Sequence, residues 1–224
     1  MKPHDTLPYT QLPDYSDEER IARSKAFYDA LKIRRTCRYF TDEMVPRTVI
    51  ENALLTAGTA PNGANHQPWH FAVIESADKK KALRIAAEAE EQEFYQNKAS
   101  EEWLEALGPL GTDADKPFLE TAPYLIVIFG QRKGGVIPGE MKQNYYVSES
   151  VGIATGMLIT ALHDAGLATL THTPNPMKFL NKLCERPTNE KPMMVLVAGK
   201  PAPDATIPVH ATIKKPLDAI ASWL

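Results

Sequence analysis

HFAVIE (70–75) reads as a β-strand, and YLIVIF (124–129), ATLTH (168–172) and MMVLVA (193–198) read as three more, apolar without a regular polar face. Strands of that kind belong to a sheet covered on both sides. Between them the period changes to a helical one. Ser16 and Glu19 form a capping box ahead of Phe27 and Leu31, which predicts a helix over about 17–33. Pro46 stands as a first-turn proline before Ile50, Leu54 and Ala57, a second helical face that ends at APNG (60–63). Further helical patterns cover about 77–106, 142–165 and 176–185, the last with Asn175 at its capping position. Helices separating strands, with no internal repeat and no linker, give an α/β or α+β architecture with helices covering a central sheet.

Three segments depart from this plain pattern. VGIATGMLITAL (151–162) is apolar on every side of a helix, so it belongs in the core or in a subunit interface; it falls short of the roughly 20 residues that span a bilayer. RIAAEAEEQEFYQNKASEEWLEAL (84–107) is polar and acidic, yet it sets Glu91 and Tyr95 four residues apart on one helix face. A merely solvated face has no need of that tyrosine. The region after it, about 107–122, is long and weakly patterned, which marks a functional or disordered loop.

Composition narrows the function classes. With 224 residues, 43% of them hydrophobic, the chain can bury a sizeable core as one domain over 1–224. A formal net charge of -3 with scattered basic residues argues against nucleic acid. Cys37 and Cys184 lack metal-ligand spacing and form no disulfide framework, which fits a reducing, cytoplasmic setting. The proline-bearing N-terminal stretch has no apolar signal core. GxGxxG after a strand, GxxxxGK[ST], HExxH and CxxC are all missing, so nothing supports dinucleotide-Rossmann, NTPase or zinc chemistry. The six histidines are scattered, and His163 and His172 read as satisfied structural residues.

Basic and glycine-bearing turns carry the remaining chemistry. RRTCR (34–38) offers a fork-shaped donor set for a phosphate, or equally a helix C-terminus whose arginines meet the macrodipole. APNGANHQPWHF (60–71) has more amides than a connector requires, and a glycine where backbone could approach a flat polar ligand. Lys214 and Lys215 by themselves read as surface lysines. Thr173 by itself is a β-branched residue closing a strand before Pro174.

Taken together and in order, RRTCRYF, TAPNGANHQPWHF, THTP and KKPLD resemble the flavin-binding pattern of the nitroreductase superfamily. EEQEFY (90–95) followed by DKPFL (115–119) resembles its iodotyrosine deiodinase branch. The resemblance runs from about residue 30 to the C-terminus. It implies an α+β nitroreductase-like fold, a central mixed sheet flanked by helices, in an intertwined homodimer with FMN. Arg34, Arg35, Thr36 and Lys214 would hold the FMN phosphate and ribityl chain, and Pro61, Asn62, Gly63 and Ala64 would line the isoalloxazine. Thr173 would donate to flavin N5, and the Ala64 N–H would meet the substrate phenolate. Glu91, Tyr95 and Lys116 would bind the zwitterion of a halotyrosine on a lid at about 85–118.

The implied activity is reductive dehalogenation of halotyrosines to tyrosine and halide, with electrons from NAD(P)H directly or through a reductase. The alternative on the same fold is a broad NAD(P)H-dependent nitroreductase or quinone or flavin reductase. A third reading is a helix-rich scaffold without catalysis. Lys214 departs from a common arginine and Asn62 from a common serine, and the expectation is a member without the membrane anchor of animal members.

Overall fold

The computed structural model describes residues 4–10, 12–137 and 139–224. Residues 1–3, part of the N-terminal stretch read above, lie outside the described residues, as do 11 and 138. Two compact units divide the chain, one up to Arg34 and one from Arg35 to Leu224.

The first unit holds α1 (Asp17–Leu31), which begins at the expected capping box. Glu19 N–H donates to Ser16 Oγ at 3.2 Å, and Ser16 N–H donates to the Glu19 carboxylate at 2.8 Å. The helix buries none of its residues, and Phe27 and Tyr28 stay largely exposed.

The second unit runs α2 (Arg47–Gly58), β1 (Trp69–Ile74), α3 (Ala77–Glu93), a π-helical turn (Phe94–Lys98), α4 (Glu101–Leu107) and α5 (Phe118–Thr121). It continues through β2 (Tyr124–Gln131), the small hairpin β3 (Lys133–Gly134) and β4 (Lys142–Gln143), α6 (Val147–Asp164), β5 (Ala168–His172), α7 (Phe179–Leu183) and β6 (Glu190–Gly199). The sheet order is β1-β2-β6-β5. All three ladders are antiparallel, and a parallel pairing enters as the isolated Thr36–Thr169 bridge beside β5.

β2 explains why the strands lack a polar face. Leu125, Val127 and Phe129 pack into one cluster with Leu83, Phe118, Leu119 and Leu180. Tyr124, Ile126 and Ile128 pack into a second with Ile50, Ala57, Val151 and Leu158. Each fully buried large side chain contributes roughly 1.5–3 kcal/mol, so both faces of this strand drive folding.

Several predicted boundaries change for local reasons. The pattern over 77–106 breaks where Ala99 turns extended and Ser100 restarts a helix by accepting from Trp103 N–H at 3.2 Å. The pattern over 142–165 begins only at Val147, because Tyr146 is left-handed at φ 51°. The pattern over 176–185 contracts to α7, preceded by Lys178 instead of Asn175. α6 is not buried all round: Val151, Ala154, Leu158 and Leu162 face the core, while Ile153 and the glycines 152 and 156 are exposed. The stretch 107–122 is more structured than its pattern suggested, with a 3-10 turn at Gly108–Leu110 and α5. No helix among the described residues is long and apolar enough to cross a membrane.

Candidate active site

Leu83 and Ala87 form the inward stripe of α3, and the next position of that stripe is Glu91. A face that buries aliphatic carbon for two turns therefore ends on a carboxylate whose side chain is only 15% exposed. Burial raises the Glu91 pKa, and the Lys116 ammonium opposes the rise. Lys116 Nζ lies 3.4 Å from Glu91 Oε2 with its own side chain buried. It also donates to the Asp113 carbonyl and to Thr112 Oγ1.

The loop bearing Lys116 is fastened to α3 at its root. Lys116 N–H donates to Glu88 Oε1 at 2.7 Å. Arg84 reaches Glu88 at 2.6 Å, Asp115 at 2.7 Å and Glu120 at 3.4 Å. Beyond Glu93 the helix relaxes into the π-helical turn closed by Ala99 N–H donating to Phe94 C=O at 2.9 Å. Such turns re-aim side chains and recur at functional sites. Here it carries Tyr95, whose ring centroid is 5.7 Å from Lys116 Nζ. Burial raises the Tyr95 phenol pKa, against a hydrogen bond with Thr112. Phe94 packs edge-on to both Tyr95 and Trp103, at 5.3 and 4.8 Å between centroids.

Glu91, Tyr95 and Lys116 line one cavity of about 600 Å³, together with Arg38, His172 and Thr173. β5 ends on His172, which is buried, and Thr173 follows it, exposed. His172 corrects its sequence reading. It is buried, but its Nε2 has no hydrogen-bond partner among the described residues. Its Nδ1 is 3.9 Å from Glu91 Oε1. Burial, helped by the Lys116 charge, pushes its pKa down to about 3, so it is a neutral imidazole. Sequence reasoning missed His172 and Arg38 as lining residues, although one stands within THTP and the other within RRTCR.

The remaining predicted residues lie elsewhere. Pro61, Asn62, Gly63 and Ala64 form a turn ahead of β1, with Ala64, Asn65 and Gln67 all at positive φ near 50°. Non-glycine residues hold that conformation only where their surroundings over-determine it, and functional loops are where this occurs. Asn62 supplies the constraint by accepting from Gln67 N–H at 2.7 Å and donating to the Ala60 carbonyl at 3.0 Å. Its amide is thus occupied within the turn. Gly63 is required by a close approach, since a Cβ there would stand 2.8 Å from the Tyr145 carbonyl oxygen. Arg34 ends the first unit; Arg35 and Thr36 are half-buried in the second. Lys214 is exposed, with Nζ donating to the Ala211 carbonyl at 2.9 Å.

The turn at 61–64 and Thr173 adjoin the same end of the sheet but opposite edges, one before β1 and the other after β5. Three strand spacings, about 14 Å, separate those edges.

A model of the nitroreductase family matches residues 31–200. The iodotyrosine deiodinase of Haliscomenobacter hydrossis is 48% identical over 202 residues, 90% of each chain. Iodotyrosine deiodinase 1 of Homo sapiens is 42% identical over 207 residues, 92% of this chain and 71% of that one. The crystal structure of oxidized iodotyrosine deiodinase bound to FMN and 3-iodo-L-tyrosine superposes with a TM-score of 0.69 at 32% identity, over 79% of this chain and 90% of that one. The chain belongs to the nitroreductase family, within its iodotyrosine deiodinase branch.

Proposed function

We infer that this chain is an FMN-dependent oxidoreductase that removes halide reductively from halotyrosines. The observation that carries the reading is the convergence of Glu91, Tyr95 and Lys116 on the cavity that Thr173 also lines. A half-buried carboxylate and a buried ammonium side by side match the two charges of an amino-acid zwitterion. A flat nitroaromatic or quinone needs neither charge, and burying both without such a ligand would be costly.

The donor set suits FMN. Thr173 offers an exposed hydroxyl at the cavity, and the strained turn at 61–64 offers exposed backbone at Ala64. Thr36, Arg35 and Lys214 are a hydroxyl and two cations of the kind that hold a phosphate; the role of Arg34 rests on the sequence resemblance. FMN, when bound and reduced, would supply the two electrons that, together with a proton, replace the carbon–halogen bond by a carbon–hydrogen bond as halide departs with the bonding pair. The protein's residues do the rest. Glu91 takes the substrate ammonium, Lys116 its carboxylate, and the Tyr95 hydroxyl bridges them. The Ala64 N–H stabilises negative charge on the phenolate oxygen, and Thr173 donates to flavin N5, which favours single-electron steps. The segment 85–118 serves as the lid over the ligand.

A cofactor ring touching both Thr173 and the 61–64 turn calls for a second copy of the chain, because one sheet holds them at opposite edges. We therefore read the working form as a homodimer with FMN between subunits. Cys37 and Cys184 are free thiols, which supports a reducing, cytoplasmic setting. Electrons would come from NAD(P)H, directly or through a reductase.

Anaerobic titration of the reduced flavoprotein with chloro-, bromo- and iodotyrosine, alongside a nitroaromatic, tests the reading. Stoichiometric reoxidation with halide release is expected from the halotyrosines. Reoxidation by the nitroaromatic alone would leave the alternative reductase standing.

A further inference from the structure

The proposed roles give His172 no part, yet this residue is a buried polar group of the same cavity. Only 6% of its surface is exposed, its Nε2 is without a hydrogen-bond partner among the described residues, and the Phe118 ring stands edge-on at 6.3 Å. Its Nδ1 lies 3.9 Å from Glu91 Oε1, beyond hydrogen-bond reach by a small side-chain adjustment. Nδ1 is the ring nitrogen that faces an acceptor, so the tautomer with its proton on Nδ1 leaves Nε2 as the bare, unpartnered nitrogen and keeps one donor poised toward Glu91. Glu91 is the acceptor by geometry: Lys116 sits at its Oε2, 3.4 Å away, while Oε1 faces His172.

Resting on the zwitterion reading above, we propose that His172 is a positioning residue for Glu91 that confers preference for amino acids over simple phenols. The substrate's carboxylate draws Lys116 away from Glu91, and the substrate's ammonium takes its place. The Nδ1–H of His172 then donates to Oε1 and keeps the carboxylate aimed at the ammonium. A neutral ring suits this role, because an imidazolium would compete with the ammonium for the same charge. Burial and the Lys116 charge keep the ring neutral, with a pKa of about 3. The titratable groups around Glu91 are Lys116 from the loop before α5, Tyr95 from the π-helical turn and His172 from β5; Arg38 lines the same cavity.

The experiment is a flavin-fluorescence titration of the FMN-loaded wild type, His172→Leu and His172→Asn with iodotyrosine and iodophenol, repeated from pH 5 to 8. His172→Leu should bind iodotyrosine about tenfold more weakly and iodophenol unchanged. The acid limb of its iodotyrosine binding should move to higher pH, because Glu91 has lost a donor to its charged form. Its ligand-free melting temperature should hold or rise, since an unsatisfied polar group is gone; a residue of purely structural importance would lower it. His172→Asn keeps a donor and should retain most of the affinity. In the wild type, the imidazole N–H resonance should shift with iodotyrosine and stay put with iodophenol, a readout that needs no variant.

Unchanged iodotyrosine affinity in His172→Leu, equal weakening of both ligands, or a wild-type imidazole that ignores iodotyrosine overturns the role of His172. Equal wild-type affinity for iodotyrosine and iodophenol overturns the zwitterion reading itself.

Discussion

At the scale of single residues, the candidate site is a small set of buried and half-buried polar groups whose energies depend on partners. A hydrogen bond to a charged group is worth about 1.5–3 kcal/mol. Glu91→Gln and Lys116→Ala should therefore each weaken iodotyrosine binding by roughly one to two powers of ten, with iodophenol little affected. Isothermal titration of both variants with both ligands decides it, and parallel losses for the two ligands would remove these residues from substrate recognition. His172 also makes a pH prediction for stability. Its folded pKa of about 3 lies below the ordinary value of 6.5, so between those values the unfolded chain binds more protons and stability falls as pH falls. By pH 5 about 2 kcal/mol should be lost through this group alone. Glu91 acts in the opposite sense, because burial raises its pKa and its contribution is present in acid and lost as pH rises. Urea unfolding at pH 7 and pH 5 should show a smaller acid loss in His172→Leu than in the wild type.

At the scale of elements, α3 changes character along its length. Leu83 and Ala87 anchor its first part, and Leu83→Ala should cost about 2–5 kcal/mol of global stability. From Phe94 through Leu110 no described residue is buried, so this stretch opens at low free-energy cost. Phe94 and Trp103 pack on each other within the stretch, and Arg84 ties the loop that follows it to α3. Limited proteolysis of ligand-free protein should cut first within 94–112, and iodotyrosine should suppress that cut. Arg84→Met, which frees Asp115 and Glu88, should speed the cut and barely move the melting temperature. If ligand left the cleavage rate unchanged, the lid assignment would be wrong.

At the scale of the whole molecule, the sheet holds the two proposed flavin contacts at opposite edges. The 61–64 turn precedes one edge strand, Thr173 follows the other, and α6 keeps Ile153 exposed on the face away from its core contacts. Sedimentation of the flavin-loaded protein at micromolar concentration should give a dimer, and dilution to the monomer should release FMN with it. A monomer that keeps its flavin would show that one sheet suffices.

The sequence by itself determined the elements whose cause is local or periodic. The strand runs at 124–129 and 193–198 declare two-sided burial, and Ser16 with Glu19 declares a helix start, because each signal is complete within a few residues. The ordered resemblance of the motifs to a known family, and not residue type or spacing alone, singled out Glu91, Tyr95, Lys116 and Thr173 as candidates. Tertiary structure alone decided which residues share a cavity and in what state. Glu91 is half-buried because it continues the stripe of Leu83 and Ala87, and that stripe is hidden inside an acidic sequence. His172 has a scattered histidine's sequence signature; only the packing of β5 against α3 and Phe118 strips it of water and leaves it facing a carboxylate. Burial and partner geometry depend on contacts distant in the chain, and those contacts decide whether a polar side chain is a solvated surface group or part of a site.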